Sequence, residues 1–248
     1  MMACFAVACV LPLSSSPACA GVDEPIYVID SPTSGLLAHG EYHVQGRVGP
    51  QSSIAMALRV GLRDIMHIGV SFGAQKMFER APVNVNDRIG VMLRIRLIPE
   101  GAGPAVAIGF DNQGVGAWNR AAARYERKSK GFYAVVSRNW RVAVGQLSLH
   151  GGMNISTENS DQNGTDLFAA ADWEMVPGLS LLADWSAGLN DNRDNGQYGQ
   201  GRSYLDAALR VSYGGNLTLM LIFRDLTGNY APDPTVWREF EVSYVDFF

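Results

Sequence analysis

From Leu36 onward, apolar and polar residues alternate with a period of two rather than 3.6. In the stretch LLAHGEYHVQGRV one face carries Ala38, Gly40, Tyr42, Val44 and Val48, and the other carries His39, Glu41, His43, Gln45 and Arg47. The next stretch sets Ile54, Met56, Leu58, Val60 and Leu62 against Ser53, Ala55, Ala57 and Arg59. After the turn Arg63-Asp64 come Met66, Ile68, Val70 and Phe72 against His67, Gly69, Ser71 and Gly73. Ile89, Val91, Leu93, Ile95 and Leu97 then oppose Arg88, Gly90, Met92, Arg94 and Arg96. Continued to the end, the pattern predicts twelve half-polar strands, at 36–48, 52–62, 65–75, 87–98, 104–111, 130–139, 141–154, 164–176, 179–190, 202–213, 216–225 and 235–248. The sixth, GFYAVVSRN, is the weakest, since either parity gives a mixed face.

A soluble sandwich also alternates, so the period alone does not choose the architecture. Connection lengths do. After even-numbered strands they are short: Arg63-Asp64, 99–103, Asn139-Trp140, Pro177-Gly178 and Gly214-Gly215. After odd-numbered strands they are long and polar, at 75–86, 112–129, 156–164, 190–200 and 226–234, with only Gly49-Pro50 short. Short turns at one rim and long loops at the other characterise barrels that span an outer membrane. Aromatics near strand ends, such as Trp140, Trp173, Tyr213 and Phe248, suit the girdles where a ring is half wet. Closure also removes the open sheet edges that hydrocarbon does not tolerate. The expectation is an all-β fold, a single antiparallel transmembrane β-barrel of about 12 strands over residues 36–248, in the outer membrane of a Gram-negative bacterium.

Composition narrows the rest. The formal charge is −4 and no dense basic run occurs, so nothing argues for nucleic acid. Residues 1–20, MMACFAVACVLPLSSSPACA, have the apolar core and Ala18-Cys19-Ala20 ending of a secretory signal peptide, although no Lys or Arg precedes the core. All three cysteines (Cys4, Cys9, Cys19) lie there, so the chain beyond residue 20 has no thiol. Residues 21–35 are expected to be a short periplasmic lead-in, and no later apolar run approaches the ~18 residues of a membrane helix.

Charges on the polar faces carry the functional reading. Strands one to four contribute Arg47, Arg59, Arg63, Arg88, Arg94 and Arg96; strands eight and nine contribute Asp172, Glu174 and Asp184. In a closed twelve-strand barrel the third strand faces the ninth, which sets a basic wall against an acidic wall. In a water-filled lumen the transverse field would select polar solutes. In a narrow lumen the same charges would pair and plug it. Ser148, His150 and Asn154 share one face and contain the parts of a nucleophilic site, which would make a lipid-acting hydrolase. Parity turns them inward, however, so the expectation is a non-enzymatic protein. His39, Glu41 and His43 share a face, but the two histidines stand roughly 13 Å apart along a strand, too far to bind one ion directly. No metal and no cofactor is expected, and NDNRDNGQYG in the 190–200 loop lacks the spacing of an EF-hand.

The run NDRIGVMLRIRLIPEGAGPAVAIGFDNQGVGAW, followed by GFYAVVSRNW, resembles the YjbH-like family of exopolysaccharide-associated outer-membrane proteins. The matching features are Pro104 to Phe110, Gly114 and Gly116 of the Gly-rich loop, Tyr133 to Arg138, and SPTSGLLAHGEY at 31–42. The resemblance covers about residues 30–140. It implies a role in making or exporting surface polysaccharide, with periplasmic export partners, and brings no catalytic residues.

The chain ends FEVSYVDFF. Phe240, Val242, Tyr244 and Phe248 are expected to face lipid, and Glu241 and Ser243 the lumen. An alternating apolar strand ending on an aromatic resembles the signal read by the outer-membrane assembly machinery.

Overall fold

The computed structural model describes residues 25–80, 82–158, 164–191 and 197–248. Residues 1–20, expected from the sequence to be a signal peptide, and their three cysteines lie outside the described residues.

Fifteen strands follow in order: β1 Glu41–Gly49, β2 Ser53–Leu62, β3 Met66–Gln75, β4 Asn84–Val85, β5 Gly90–Ile98, β6 Ala105–Asp111, β7 Val115–Asn119, β8 Arg124–Arg127, β9 Gly131–Arg141, β10 Gln146–Ile155, β11 Thr165–Val176, β12 Leu179–Ser186, β13 Tyr204–Tyr213, β14 Leu217–Arg224 and β15 Trp237–Phe247. Twelve form the wall, each antiparallel to the next. The last closes on the first, with Glu41 opposite Phe247 and Arg47 opposite Glu241. β4 pairs antiparallel with the last two residues of β3, and β7–β8 form a separate hairpin inside the long 111–131 connection.

Local chemistry sets the short turns. Arg63 and Asp64 both have positive φ (55° and 58°), as do Gly214 and Gly215 (64° and 78°), the left-handed pair that matches the twist of a two-residue hairpin. Predicted boundaries move: the first strand begins at Glu41 rather than 36, the ninth ends at Ser186 rather than 190, and the turn after the sixth is displaced. Asn139 and Trp140 stay in β9, opposite Ser148 and Leu147, and the turn falls at 142–145. There Val142 N–H donates to the Gly145 carbonyl at 3.2 Å, and Gly145 supplies φ 76°. Glycine is required: an added Cβ would stand 1.8 Å from the Glu174 carbonyl. The weak parity of GFYAVVSRN gave no hint of where that strand stops.

Burial is inverted relative to a soluble protein. Leu58, Val70, Val91, Leu149, Leu181, Leu209, Leu221 and Phe240 are exposed on the outer face, while Arg59, His67, Arg94, Asp184, Asp206, Arg224 and Glu239 are buried within. Phe240, Val242 and Tyr244 lie on the outer face and Glu241 and Ser243 on the inner one. Phe248 is 87% exposed. Its N–H nonetheless donates to the Gly40 carbonyl at 3.1 Å, and its ring lies 5.2 Å from that of Tyr42, so it seals the rim of the β15–β1 seam.

Candidate functional site

The interior is occupied by the chain's own N-terminal segment. Residues 25–35, expected as a periplasmic lead-in, instead form a hairpin within the barrel, with Ser31, Thr33 and Ser34 buried. Tyr27 bridges Pro32, Val28 N–H donates to the Ser31 carbonyl at 3.1 Å, and Thr33 N–H donates to the Ile26 carbonyl at 3.2 Å. The tip is therefore at Ile29-Asp30, and both limbs run back toward the short-turn rim. The physical reason is compensation: a wall dense in guanidiniums and carboxylates needs partners, and the eleven-residue segment supplies the Asp30 carboxylate, hydroxyls and backbone groups.

The tip is held by charge. Asp30 receives Arg47 Nη1 at 2.9 Å, lies 3.7 Å from Arg127 and contacts Arg224 directly. Arg224, 2% exposed, is also bidentate to Glu239 at 3.1 and 2.7 Å. Arg127 donates to Asp206 at 2.6 Å, and Arg47 to Glu241 at 2.8 Å. Three arginines from β1, β8 and β14 thus converge on one hairpin carboxylate. Asp184 accepts the N–H groups of Asp30 and Ser31 at 2.9 and 2.6 Å and the Ser31 hydroxyl at 2.6 Å.

The hairpin's base is held by hydrogen bonds. Arg94, with 0% exposure, donates to the carbonyls of Ile26 and Gly35 at 2.6 and 2.9 Å and to Tyr133 Oη at 2.9 Å. Arg96 donates to the Ser34 carbonyl at 2.9 Å, and Ser34 N–H donates to Ser137 Oγ at 2.9 Å. The Tyr27 ring lies between two guanidiniums, Arg94 at 4.8 Å and Arg59 at 5.0 Å, while its hydroxyl donates to Asp111 at 2.7 Å.

The contact is apolar as well as ionic. Val28 and Ile29 pack with Ala170, Leu182, Ala208, Met220 and Ile222, all on the inner face of β11–β14. That inner-wall patch has no reason to exist in a water-filled pore. It was visible in the sequence, because Leu182, Met220 and Ile222 interrupt a face otherwise bearing Ser180, Asp184 and Arg224.

The two-walled arrangement is corrected accordingly. Arg47 pairs with acids beside it on the β15 seam and with the hairpin, not with β11 or β12. Arg59 bonds Gln45 at 2.7 Å and His43 at 3.0 Å. Arg63 lies in an exposed turn, and Arg88 precedes β5 and stacks on Trp118 at 4.9 Å. Asp172 pairs with Arg210 on β13 at 2.6 Å, and Glu174 accepts the Gly178 N–H at 3.0 Å. Only Asp184 reaches across, and it holds the hairpin backbone. Asp30, Arg127, Asp206, Arg224 and Glu239 were missed, because charges ahead of the first strand, in connections and in late strands acquire partners only on closure.

The alternative constellations do not assemble. His150 Nδ1 sits 2.8 Å from Ser137 Oγ rather than beside Ser148. His39 Nδ1 accepts the Arg63 N–H at 3.2 Å, His43 meets Arg59, and Glu41 accepts the Ala38 N–H at 2.7 Å. Among the described residues no three His, Cys, Asp or Glu side chains converge for a metal.

At the opposite rim the described parts of the long connections are tied to one another. The β7–β8 hairpin is tied by Arg124 to Asp191 at 2.5 Å and by Glu158 accepting the Tyr125 and Ser129 N–H groups at 2.8 and 2.7 Å. Burial raises the Glu158 carboxyl above its ordinary range, and burial pushes Lys128 down to about 8. Asn229 Oδ1 accepts the Gln200 and Arg202 N–H groups, both at 2.9 Å, which joins two loops. Beneath the low rim at Gly49–Ser53 a cavity of about 130 Å³ remains, lined among others by Tyr27, Asp30, Arg47, Arg59, Gln113 and Lys130.

No family model matches the chain, and no curated protein is similar to it in sequence. Solved structures are similar in fold. A structure described as "KdgM porin" superposes with a TM-score of 0.53 at 8% identity, covering 84% of this chain and 99% of that one. The NanC porin gives 0.48 at 10% identity with the same coverages. The KdgM likeness shows that the chain has a porin-like barrel fold.

Proposed function

We propose that this protein is a non-enzymatic outer-membrane barrel of a Gram-negative bacterium that serves as a conduit for polar solutes and is closed in the conformation described. The observation that carries the reading is the inversion of burial: apolar side chains cover the outside while arginines and carboxylates line the inside. Such an outer face matches hydrocarbon, and such an inner face would solvate a polar cargo. The porin-like fold supports the same reading. Exopolysaccharide is the cargo suggested by the resemblance at residues 30–140, with periplasmic partners supplying the driving force that a passive barrel lacks.

A second reading has its own support. The filled lumen and the knitted loops suit a structural or adhesive barrel that works through its long-loop rim. Fractionation and solute release separate the two. The conduit reading expects the protein in the outer-membrane fraction, with different gel migration before and after boiling. It also expects glucose release from liposomes carrying a barrel that lacks residues 26–34. A soluble protein would overturn the placement, and silent liposomes with a folded, deleted barrel would leave the structural reading.

A further inference from the structure

We propose that residues 25–35 are a gate: a tethered hairpin that enters the barrel from the short-turn rim, closes it, and opens it by withdrawing through that rim. The inference deepens the conduit reading and rests on it.

Four observations point this way. The fit is two-sided, since Val28 and Ile29 on the hairpin meet an apolar patch on β11–β14 that a permanently wet pore would not carry. The hairpin is not part of the sheet. Among the described residues its backbone–backbone bonds are internal, Val28 to Ser31 and Thr33 to Ile26, and its ties to the wall run through side chains such as Asp184, Arg94 and Ser137. It can therefore leave without breaking a strand pairing. Both limbs point to the short-turn rim, so no loop of the far rim has to open first. Finally, the strap to β1 passes close against β2 at Gly61, where a Cβ would lie 1.9 Å from the Ala38 carbonyl.

Asp30 is the only charged residue in the segment, and it lies against Arg47, Arg127 and Arg224. Its carboxylate is thus the latch. The set of cations it engages belongs to three separate elements, so the closed state draws β1, β8 and β14 toward one point. Withdrawal leaves those three guanidiniums facing the lumen, where water and anionic solutes can reach them.

The experiment is single-channel recording in planar bilayers, with folding of every variant confirmed by its heat-dependent gel migration. Four proteins are compared: wild type, a deletion of residues 26–34, Asp30→Asn, and the double variant Ser34→Cys/Ser137→Cys. The last exploits a chain without cysteine beyond residue 20 and a Ser34 nitrogen 2.9 Å from Ser137 Oγ. Wild type is expected to open rarely, the deletion to conduct continuously, and Asp30→Asn to open at least ten times more often. The oxidised double variant should be silent, and reductant should restore brief openings. Equal conductance of wild type and deletion would overturn the gate, as would openings that persist through the oxidised cross-link. A folded deletion variant that conducts nothing would instead overturn the conduit reading.

Discussion

Arg224→Met tests whether the buried ion cluster stabilises the closed barrel. Arg224 is 2% exposed and touches three carboxylates: Asp30, Glu239 through two bonds of 3.1 and 2.7 Å, and Asp206 at 3.4 Å. Methionine fills much of the same space but removes the charge. The acids retain help from Arg47 and Arg127, yet among the described residues Glu239 keeps only Arg47 as an ion-pair partner, at 3.9 Å. Removing one partner of a buried pair typically costs about 3–5 kcal/mol, because the other charge is left desolvated and unpaired. A surface pair sets the scale: Arg120 and Asp87 are 2.6 Å apart with side chains 79% and 52% exposed. Its loss should cost less than about 1 kcal/mol, since water screens both ions. The assay is reversible urea unfolding in lipid vesicles, followed by tryptophan fluorescence, for wild type, Arg224→Met and Arg120→Ala. Arg224→Met should lose several times more free energy than Arg120→Ala. If both variants fall within about 1 kcal/mol of wild type, the cluster is solvated in the membrane-bound protein and the electrostatic account is wrong.

Three further outcomes are expected. Val70→Arg, on the outer face of β3 in the row Val44–Leu58–Val70–Val91, should cost about 2–4 kcal/mol at mid-bilayer and sharply reduce the folded fraction in membranes; normal folding would refute the lipid-facing assignment. Deletion of Phe248 removes the bond to Gly40 and the contact with Tyr42, and should lower the yield of heat-modifiable barrel in the outer membrane, read by quantitative blotting. Lys128 should titrate near pH 8 in a chemical-labelling series, because burial disfavours its charged form even as its Nζ donates to the Asn190 carbonyl at 2.6 Å. The sign follows: its burial penalty is present below pH 8 and is relieved as pH rises from there toward the unfolded value of about 10.4, so the loop should resist proteolysis better across that window. Labelling with an ordinary lysine midpoint would show that Lys128 is solvated.

The sequence by itself determined the wall. Period-two alternation is local, and a membrane-facing strand must satisfy it residue by residue, so Leu58, Val70 and Phe240 could be placed outside before any partner was known. The same period set the count of twelve, and the alternation of short and long connections chose a barrel over a sandwich, because each turn signal, such as Arg63-Asp64 or Gly214-Gly215, is written in adjacent residues. The boundary at 139–146 slipped where that local writing is weak. The contents of the barrel were decided only in three dimensions. Asp30 lies 17 residues from Arg47 and 194 from Arg224, and no spacing rule joins them. Closure brings β1 beside β15, narrows the lumen to the reach of a side chain, and makes burying an unpaired guanidinium costly. The apolar residues Leu182, Met220 and Ile222, anomalies on a polar face while the strands are read singly, become a docking surface once Val28 and Ile29 lie against them.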